Sequence, residues 1–375
     1  MDLSLDDTQK LIQESARDFV RSDCNRDVLL ALDRKPGGMM DGLWQKMAGL
    51  GWTGMAIPEE YGGTGNSMTD VAVLFEELGT GPVPLPLFSS AILGARTLLE
   101  TATDAQKKAW LPEVASGDRV LALAVTEAQY GWLPEQIRLT AWKDGADYRL
   151  TGSKLFVHDA AGATDLLVLV RADSGSGLSL LRVDTRAPGV AVRTLDGFLT
   201  GISEVTFEDV RVAGDDLVGN AGRAWEGLRR AMLPAIPVLC AYKVGGCKAV
   251  FDMSVEYSRE RSQFGQPIGR FQRVQDHVIH IVNHLDAARW TTYEALWKLD
   301  SGADAACSVH MAKSVASESY MRACDFGHEV HAGIGVVREY GLTLHTKMSR
   351  SLYHLLGAPK LHRKYMESAL GLVPA

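Results

Sequence analysis

The chain has 375 residues, 46% of them hydrophobic, with 46 acidic against 39 basic side chains and a formal charge of −7. At roughly 150 residues per domain this length predicts two or three domains, and the apolar fraction is too high for a disordered protein. The acidic balance excludes the basic footprint of a nucleic-acid binder.

The first segment, MDLSLDDTQKLIQESARDF, has neither the basic n-region nor the apolar h-region of a signal peptide. No run of about 18 apolar residues stands out, so no membrane span is expected. The five cysteines, Cys24, Cys240, Cys247, Cys307 and Cys324, are odd in number and form no C-x-x-C pair. They read as reduced core thiols of a cytoplasmic protein.

In chain order, Leu11, Ile12, Ala16, Phe19 and Val20 recur at helical spacing after Ser4, a candidate N-cap. A second helix is predicted over 41–50, stopped by Gly51. The stretch Ile57-Pro58-Glu59-Glu60-Tyr61-Gly62-Gly63-Thr64-Gly65 is dense in breakers and reads as a structured loop. A helix over 67–78 ends before Gly81-Pro82-Val83-Pro84, and two more fill the chain to about Ala115.

The period changes near Val120. Ile137, Leu139 and Ala141 alternate with polar neighbours, as do Tyr148 and Leu150, and Val205 and Phe207. Leu166 to Val170 is continuously apolar. Short strands with Gly, Asp and Pro between them predict a compact β domain, sandwich or barrel. No helical pattern separates the strands, which excludes a Rossmann unit. From about Gly222 the helical period returns and persists to Glu367. Long helices are predicted over 224–259, 271–299, 303–330 and 342–355, joined by short loops as in a four-helix bundle. The expected domains are 1–119, all helical; 120–219, β; and 220–375, a helical bundle.

The most specific stretch runs from Tyr257-Ser258-Arg259-Glu260-Arg261 through Gln263-Phe264-Gly265 to Phe271-Gln272. It is the exit of one long helix, a Gly/Pro turn and the entry of the next. Arg261 offers a fork of donors suited to a phosphate, Phe264 a flat face, and Gln272 an amide. The same pattern also serves as a basic helix C-terminus with a glycine cap. His277, His280 and His284 share a helix face without a companion carboxylate, so an interface or solvated face is expected and no metal.

Taken together, several stretches resemble the acyl-CoA dehydrogenase family. They are Trp44…Leu50-Gly51-Trp52, Ile57 to Gly63, Glu76-Glu77-Leu78-Gly79, Val125-Thr126-Glu127, Gly152-Ser153-Lys154-Leu155-Phe156-Val157, the Arg261–Gln272 stretch and His331-Ala332-Gly333-Ile334-Gly335. The resemblance covers nearly the whole chain. It implies a multidomain fold with an N-terminal helical domain, a middle β domain and a C-terminal four-helix bundle. It implies FAD as cofactor, an acyl-CoA substrate oxidised at its α,β-bond, electron-transfer flavoprotein as acceptor, and a homo- or hetero-tetramer.

By the same resemblance Arg261, Phe264 and Gln272, with Val330, Gly333 and Gly335, grip the ADP half of FAD across a dimer interface. Thr126, Phe156 and His158 lie near the flavin ring. The family's catalytic base is a Glu at one of two positions, which here read Ala235 and Leu356. Neither takes a proton, so the catalytic residue is unassigned by sequence. Asp325 and Glu329 are the nearest acids to the glycine turn. Trp132 also stands where the family's flavin loop has a small Ser.

These departures resemble the base-lacking subunits of bacterial heteromeric acyl-CoA dehydrogenases, some acting on steroid side chains. They leave three expectations open: a dehydrogenase in lipid or steroid breakdown, alone or in a heteromer; a silent subunit completing a partner's FAD site; and a flavin monooxygenase of the same fold.

Overall fold

The computed structural model describes residues 4–34, 42–84, 86–172, 177–196 and 199–372. Its helices in chain order are α1 (Asp7–Ser22), α2 (Arg26–Asp33), α3 (Leu43–Gly49), α4 (Met68–Thr80), α5 (Ala95–Thr101), α6 (Asp104–Ser116), α7 (Ala224–Glu260), α8 (Gln272–Asp300), α9 (Ala306–His331), α10 (Leu342–Tyr353) and α11 (Pro359–Ala369). The main strands are β1 (Leu121–Ala124), β2 (Thr140–Asp144), β3 (Asp147–His158), β4 (Asp165–Ala172), β5 (Leu178–Asp184), β6 (Val190–Thr194), β7 (Ile202–Val212) and β8 (Leu217–Val218). The chain divides into two compact units, one of residues 1–34, 67–83 and 236–375, the other of 35–66 and 84–235.

The second unit holds an eight-stranded sheet in the order β6-β7-β3-β2-β4-β5-β8, with β1 pairing β4. One edge of β4 is shared, since β1 runs parallel to its start and β2 parallel to its end. The unbroken run Leu166–Val170 is fully buried, as expected of a strand covered on both faces. Ile137 and Leu139 are buried but precede β2 rather than lying in it. A seven-residue π-helical segment, Phe88–Gly94, leads into α5. The breaker-rich loop is fixed by close backbone approach, because a Cβ on Gly63 would sit 2.0 Å from the Ile57 carbonyl oxygen.

In the other unit, α4 and α7 cross at backbone contact. A Cβ on Gly79 would lie 2.0 Å from the Tyr242 carbonyl oxygen, and one on Gly245 1.8 Å from that of Glu76. Two small residues thus set the depth of this crossing, and the Tyr242 hydroxyl donates to the Val83 carbonyl at 2.8 Å beside it. The Asp300 carboxylate at the end of α8 accepts from the Met68 and Thr69 amides at 3.1 Å each, meeting the orphan donors of the α4 N-terminus.

The N-cap of α1 is Asp6, not Ser4: Asp6 and Gln9 form a reciprocal capping box. Helix α2 is additional to those predicted, its eight residues giving too few turns for periodicity to register; α11 lies within the helical stretch read to Glu367. The predicted second helix starts at Leu43, and Asp41 lies outside the described residues. Helix α7 is long and apolar enough, by composition alone, to cross a membrane. Within the protein 83% of its apolar 18-residue window is buried, as in a core helix. Its prolines, Pro234 and Pro237, bracket the boundary between the two units at Ala235 and Ile236.

Candidate functional site

In the sheet-bearing unit, the segment after β1 is tied to β3 by an internal ion pair. The Lys154 ammonium, fully buried, donates to the Glu127 carboxylate at 2.7 Å and to the Val125 carbonyl at 3.0 Å. Burial pulls the Lys154 amine down to about 8, although Glu127 opposes the shift. Glu127 also accepts from the amides of Arg138 and Leu139 at 2.9 and 3.0 Å, which closes the 127–139 loop. Thr126 pairs with Leu155 in both directions, its carbonyl accepting from the Leu155 amide and its hydroxyl donating to the Leu155 carbonyl.

This wiring holds Thr126 against Leu155, the residue before Phe156 on the strand that ends at His158. The Phe156 ring meets Tyr130 edge-on at 4.6 Å, and burial pushes the Tyr130 hydroxyl up to about 12. His158 is buried, which pulls its imidazole down to about 4 and keeps it neutral at physiological pH.

Four polar atoms here are buried without a hydrogen-bond partner: Trp132 Nε1, His158 Nε2, Thr200 Oγ1 and Ser203 Oγ. Pairing of β3 with β7 brings His158 opposite Ile202 and Val157 opposite Ser203. Unmet groups of this kind are rare and call for a ligand or water. Neutral unmet groups at the end of the strand that carries Phe156 suit the polar edge of a flavin.

In the other unit, Arg261, Phe264 and Gln272 lie on the α7–α8 connection, a small hairpin pairing Ser262–Gln263 with Gln266–Pro267. All three are exposed, and Phe264 at 93% is nearly bare, touching Phe271 edge-on at 6.0 Å. Tyr257, whose carbonyl accepts from the Arg261 amide at 2.9 Å, stacks on His331 at 4.7 Å. That stack joins the Arg261 segment to the turn after α9, which carries Val330, Gly333 and Gly335. Val330 and Gly335 are buried, whereas Gly333 has open space about its Cα. A guanidinium, a free aromatic face and a bare glycine backbone on one surface suit the phosphates and base of a dinucleotide.

The two base positions are apolar and buried. Ala235 lies inside α7, and Leu356 ends a turn held from beneath by its carbonyls. Lys313 Nζ donates to the carbonyls of Tyr353 and Gly357 at 3.3 and 3.0 Å, and His362 Nε2 meets that of Leu356 at 2.8 Å. Of the acids considered near the glycine turn, Asp325 is held in a surface ion pair by Arg350 at 3.0 Å, and Glu329 is exposed. The histidine triplet of α8 is arrayed on Phe326, with His280 stacked at 4.7 Å.

Seven non-glycine residues among those described have left-handed backbones: Tyr130, Phe156, Asp159, Asp209, Phe264, Ala332 and Leu356. Phe156, Phe264, Ala332 and Leu356 fall at positions that the sequence singled out. Each such residue costs about 1–3 kcal/mol and is typically retained where function needs it. Asp159 and Tyr130 were not among the sequence candidates. The only signal for Asp159 was its place directly after His158, since charge burial is invisible in sequence.

Comparison with known proteins agrees with this geometry. Residues 6–118 match the acyl-CoA dehydrogenase N-terminal domain, 122–210 the middle domain and 227–370 the C-terminal domain. A probable acyl-CoA dehydrogenase of Bacillus subtilis, YngJ, is 28% identical over 91% of this chain and 92% of its own. Acyl-CoA dehydrogenase FadE12 of Mycobacterium tuberculosis is 31% identical over 80% of each chain.

Among solved structures, butyryl-CoA dehydrogenase from Megasphaera elsdenii superimposes with a TM-score of 0.92 at 25% identity, covering 99% of this chain and 100% of that one. An FAD complex of PigA gives 0.91 at 26% identity, covering 99% and 100%. The ChsE4-ChsE5 complex from Mycobacterium tuberculosis gives 0.88 at 25%, covering 100% of both. The chain, matched in order by all three domains, belongs to the acyl-CoA dehydrogenase family of oxidoreductases.

Proposed function

We propose that the chain forms trans-2-enoyl-CoA from an acyl-CoA thioester in lipid or steroid side-chain breakdown. In this reading it is one subunit of a tetramer that passes electrons to electron-transfer flavoprotein. FAD, when bound, would supply the hydride acceptor for the β-carbon. Phe156, His158 and Thr126 would line the ring side of this chain's own cofactor, and the neutral His158 imidazole would offer its edge a hydrogen bond without adding charge.

The observation that carries the reading is the almost bare, left-handed Phe264 beside Arg261. A large apolar side chain held out in a strained conformation is ill suited to a lone subunit. It suits a grip on a neighbouring subunit's FAD, with Gln272, Val330, Gly333 and Gly335 completing that grip.

A second reading rests on Ala235 and Leu356, since neither family base position holds an acid. In it the chain is a silent partner in a heteromer, and a different subunit supplies the base. The solved ChsE4-ChsE5 complex shows that members of this fold are found as complexes of two named chains.

FAD stoichiometry separates the readings. The purified chain alone, followed by size-exclusion chromatography and absorbance, is expected to hold one FAD per subunit and to bleach anaerobically with an acyl-CoA. A colourless chain that gains FAD only when co-expressed with a second dehydrogenase subunit supports the silent reading and contradicts the first.

A further inference from the structure

Three lysines are buried among the described residues: Lys154, Lys243 and Lys313. Lys154 has a carboxylate partner in Glu127. Lys243 on α7 and Lys313 on α9 have a serine and backbone carbonyls instead. Ser317 Oγ lies 2.7 Å from Lys243 Nζ and 3.1 Å from Lys313 Nζ. Lys313 also donates to the carbonyls of Tyr353 and Gly357 at 3.3 and 3.0 Å, in the turn between α10 and α11. Two amines thus meet on one hydroxyl in the interior with no counter-charge. A buried ammonium without an anion is costly, and two facing each other are costlier still.

The hydrogen-bond capacity of Ser317 fits one charge and not two. A hydroxyl has one hydrogen to donate and two lone pairs that accept. With one ammonium and one neutral amine, Ser317 accepts from the first and donates to the lone pair of the second. With two ammoniums it must accept from both, and its own hydrogen finds no acceptor among its contacts. Burial pulls the Lys243 amine down to about 8. Burial, and then the Lys243 charge beside it, hold Lys313 well below its ordinary value.

The turn that Lys313 tethers is strained. Leu356 is left-handed at φ 61°, and Gly357 follows at φ 105°. A leucine keeps such a backbone only while its surroundings hold it. The holding contacts are Lys313 on two carbonyls and His362 Nε2 on that of Leu356 at 2.8 Å.

We propose that opening of the 353–357 turn is coupled to uptake of one proton by the Lys243–Ser317–Lys313 cluster, which makes the cluster a pH-sensitive latch on that turn. Closed, the cluster carries one ammonium charge at neutral pH. Opening frees Lys313 from the two carbonyls and admits water to both amines. The lone pair of the neutral amine then takes a proton from solvent as a new N–H bond. The device goes beyond the dehydrogenation reading and does not depend on it.

The direction follows from linkage. A hydrated lysine titrates near 10.4, so below that value the open turn binds more protons than the closed one, and the closed turn loses ground as pH falls. Just below pH 8 the difference is one proton, or about tenfold in the opening equilibrium per pH unit. The other titratable groups facing the pair are Cys240 and Cys247 from α7, His354 from the turn, and His362 from α11 with His310 of α9 at 3.0 Å behind it. Burial pushes both thiols up; a freed thiol would lose protons as pH rises, which is the opposite direction. Burial pulls His354 down, and His362 to about 2. Freed imidazoles titrate near 6.5, so a measurement above pH 7 isolates the lysines.

The test is hydrogen exchange by mass spectrometry on the full chain between pH 8.5 and 7. Peptides covering 353–362 are compared as protection factors, so that the intrinsic pH dependence of exchange cancels. Wild-type protection of this segment is expected to be at least about tenfold lower at pH 7 than at pH 8.5, while peptides from α8 change less than threefold. Lys243→Met removes the second amine and leaves Lys313 its three acceptors. Its 353–362 protection should change less than threefold over the same range and exceed that of wild type at pH 7. Wild-type protection constant within threefold, or the full wild-type slope persisting in Lys243→Met, overturns the proposal. So does a Lys243→Met chain that fails to fold, because removing an unpaired buried amine should stabilise the closed turn.

Discussion

The Lys154 ammonium and the Glu127 carboxylate, 2.7 Å apart, are the one charged contact that ties β3 to the loop after β1. Lys154 has no solvent exposure and the Glu127 side chain only 14%, so screening by water is slight. Removing one partner leaves a buried charge uncompensated, at a cost of about 3–5 kcal/mol. Lys154→Met and Glu127→Gln should each lower the urea midpoint accordingly. The double variant Lys154→Met/Glu127→Gln should recover much of the loss, because neither charge is then stranded.

Stability should depend on pH through two neighbours acting in opposite directions. Asp159 titrates near 7 in the folded chain and near 3.9 unfolded, so the folded state binds more protons between these values and stability falls as pH rises through the window. The full effect is about 4 kcal/mol. His158 titrates near 4 folded and near 6.5 unfolded, so its contribution rises over that window by about 3 kcal/mol. Wild-type stability should therefore be nearly flat between pH 4 and 6.5 as far as this pair is concerned. Asp159→Asn should make it climb, and His158→Asn should make it fall. Urea unfolding at several pH values checks both slopes.

The α4–α7 crossing tolerates no side chain. Gly79→Ala and Gly245→Ala each place a methyl about 2 Å from a carbonyl oxygen of the facing helix. Each should cost at least about 3 kcal/mol, at the upper end for overpacking. Gly49→Ala, where nothing lies within 4 Å of the added carbon, should be neutral or stabilising by helix propensity. Thermal melts of the three variants check the contrast.

Arg261→Ala and Phe264→Ala alter exposed side chains and should shift the stability of FAD-free protein by no more than about 0.5 kcal/mol. FAD retention should fall at least tenfold, through lost phosphate and base contacts. Equilibrium dialysis with FAD, alongside melts of the stripped protein, separates a cofactor role from a structural one.

Much of this architecture is legible in sequence because it rests on periodicity. The long helices α7, α8 and α9 appear within a few residues of their expected bounds, and Val205 and Phe207 alternate in β7 as read. Helix α2, carried by about two turns, gives too few repeats to register. The Arg261–Gln272 stretch was visible because its chemistry is local: donors, aromatic and glycine lie within one connection. Asp159 was not, because its burial without a cation depends on what is absent around it. Only the folded chain shows that Asp33, Glu77 and Asp165 have cations while Asp159 has a serine.

The central claim is oxidation of an acyl-CoA at the α,β-bond by this chain's own FAD. Its most direct test is anaerobic titration of the FAD-loaded chain, purified without a partner, against acyl-CoA thioesters of graded length and a steroid side-chain thioester. The account predicts loss of the visible flavin band, with one 2-enoyl-CoA formed per FAD reduced. A chain that carries FAD yet is bleached by none of them, or that forms enoyl product only after a second subunit is added, contradicts it.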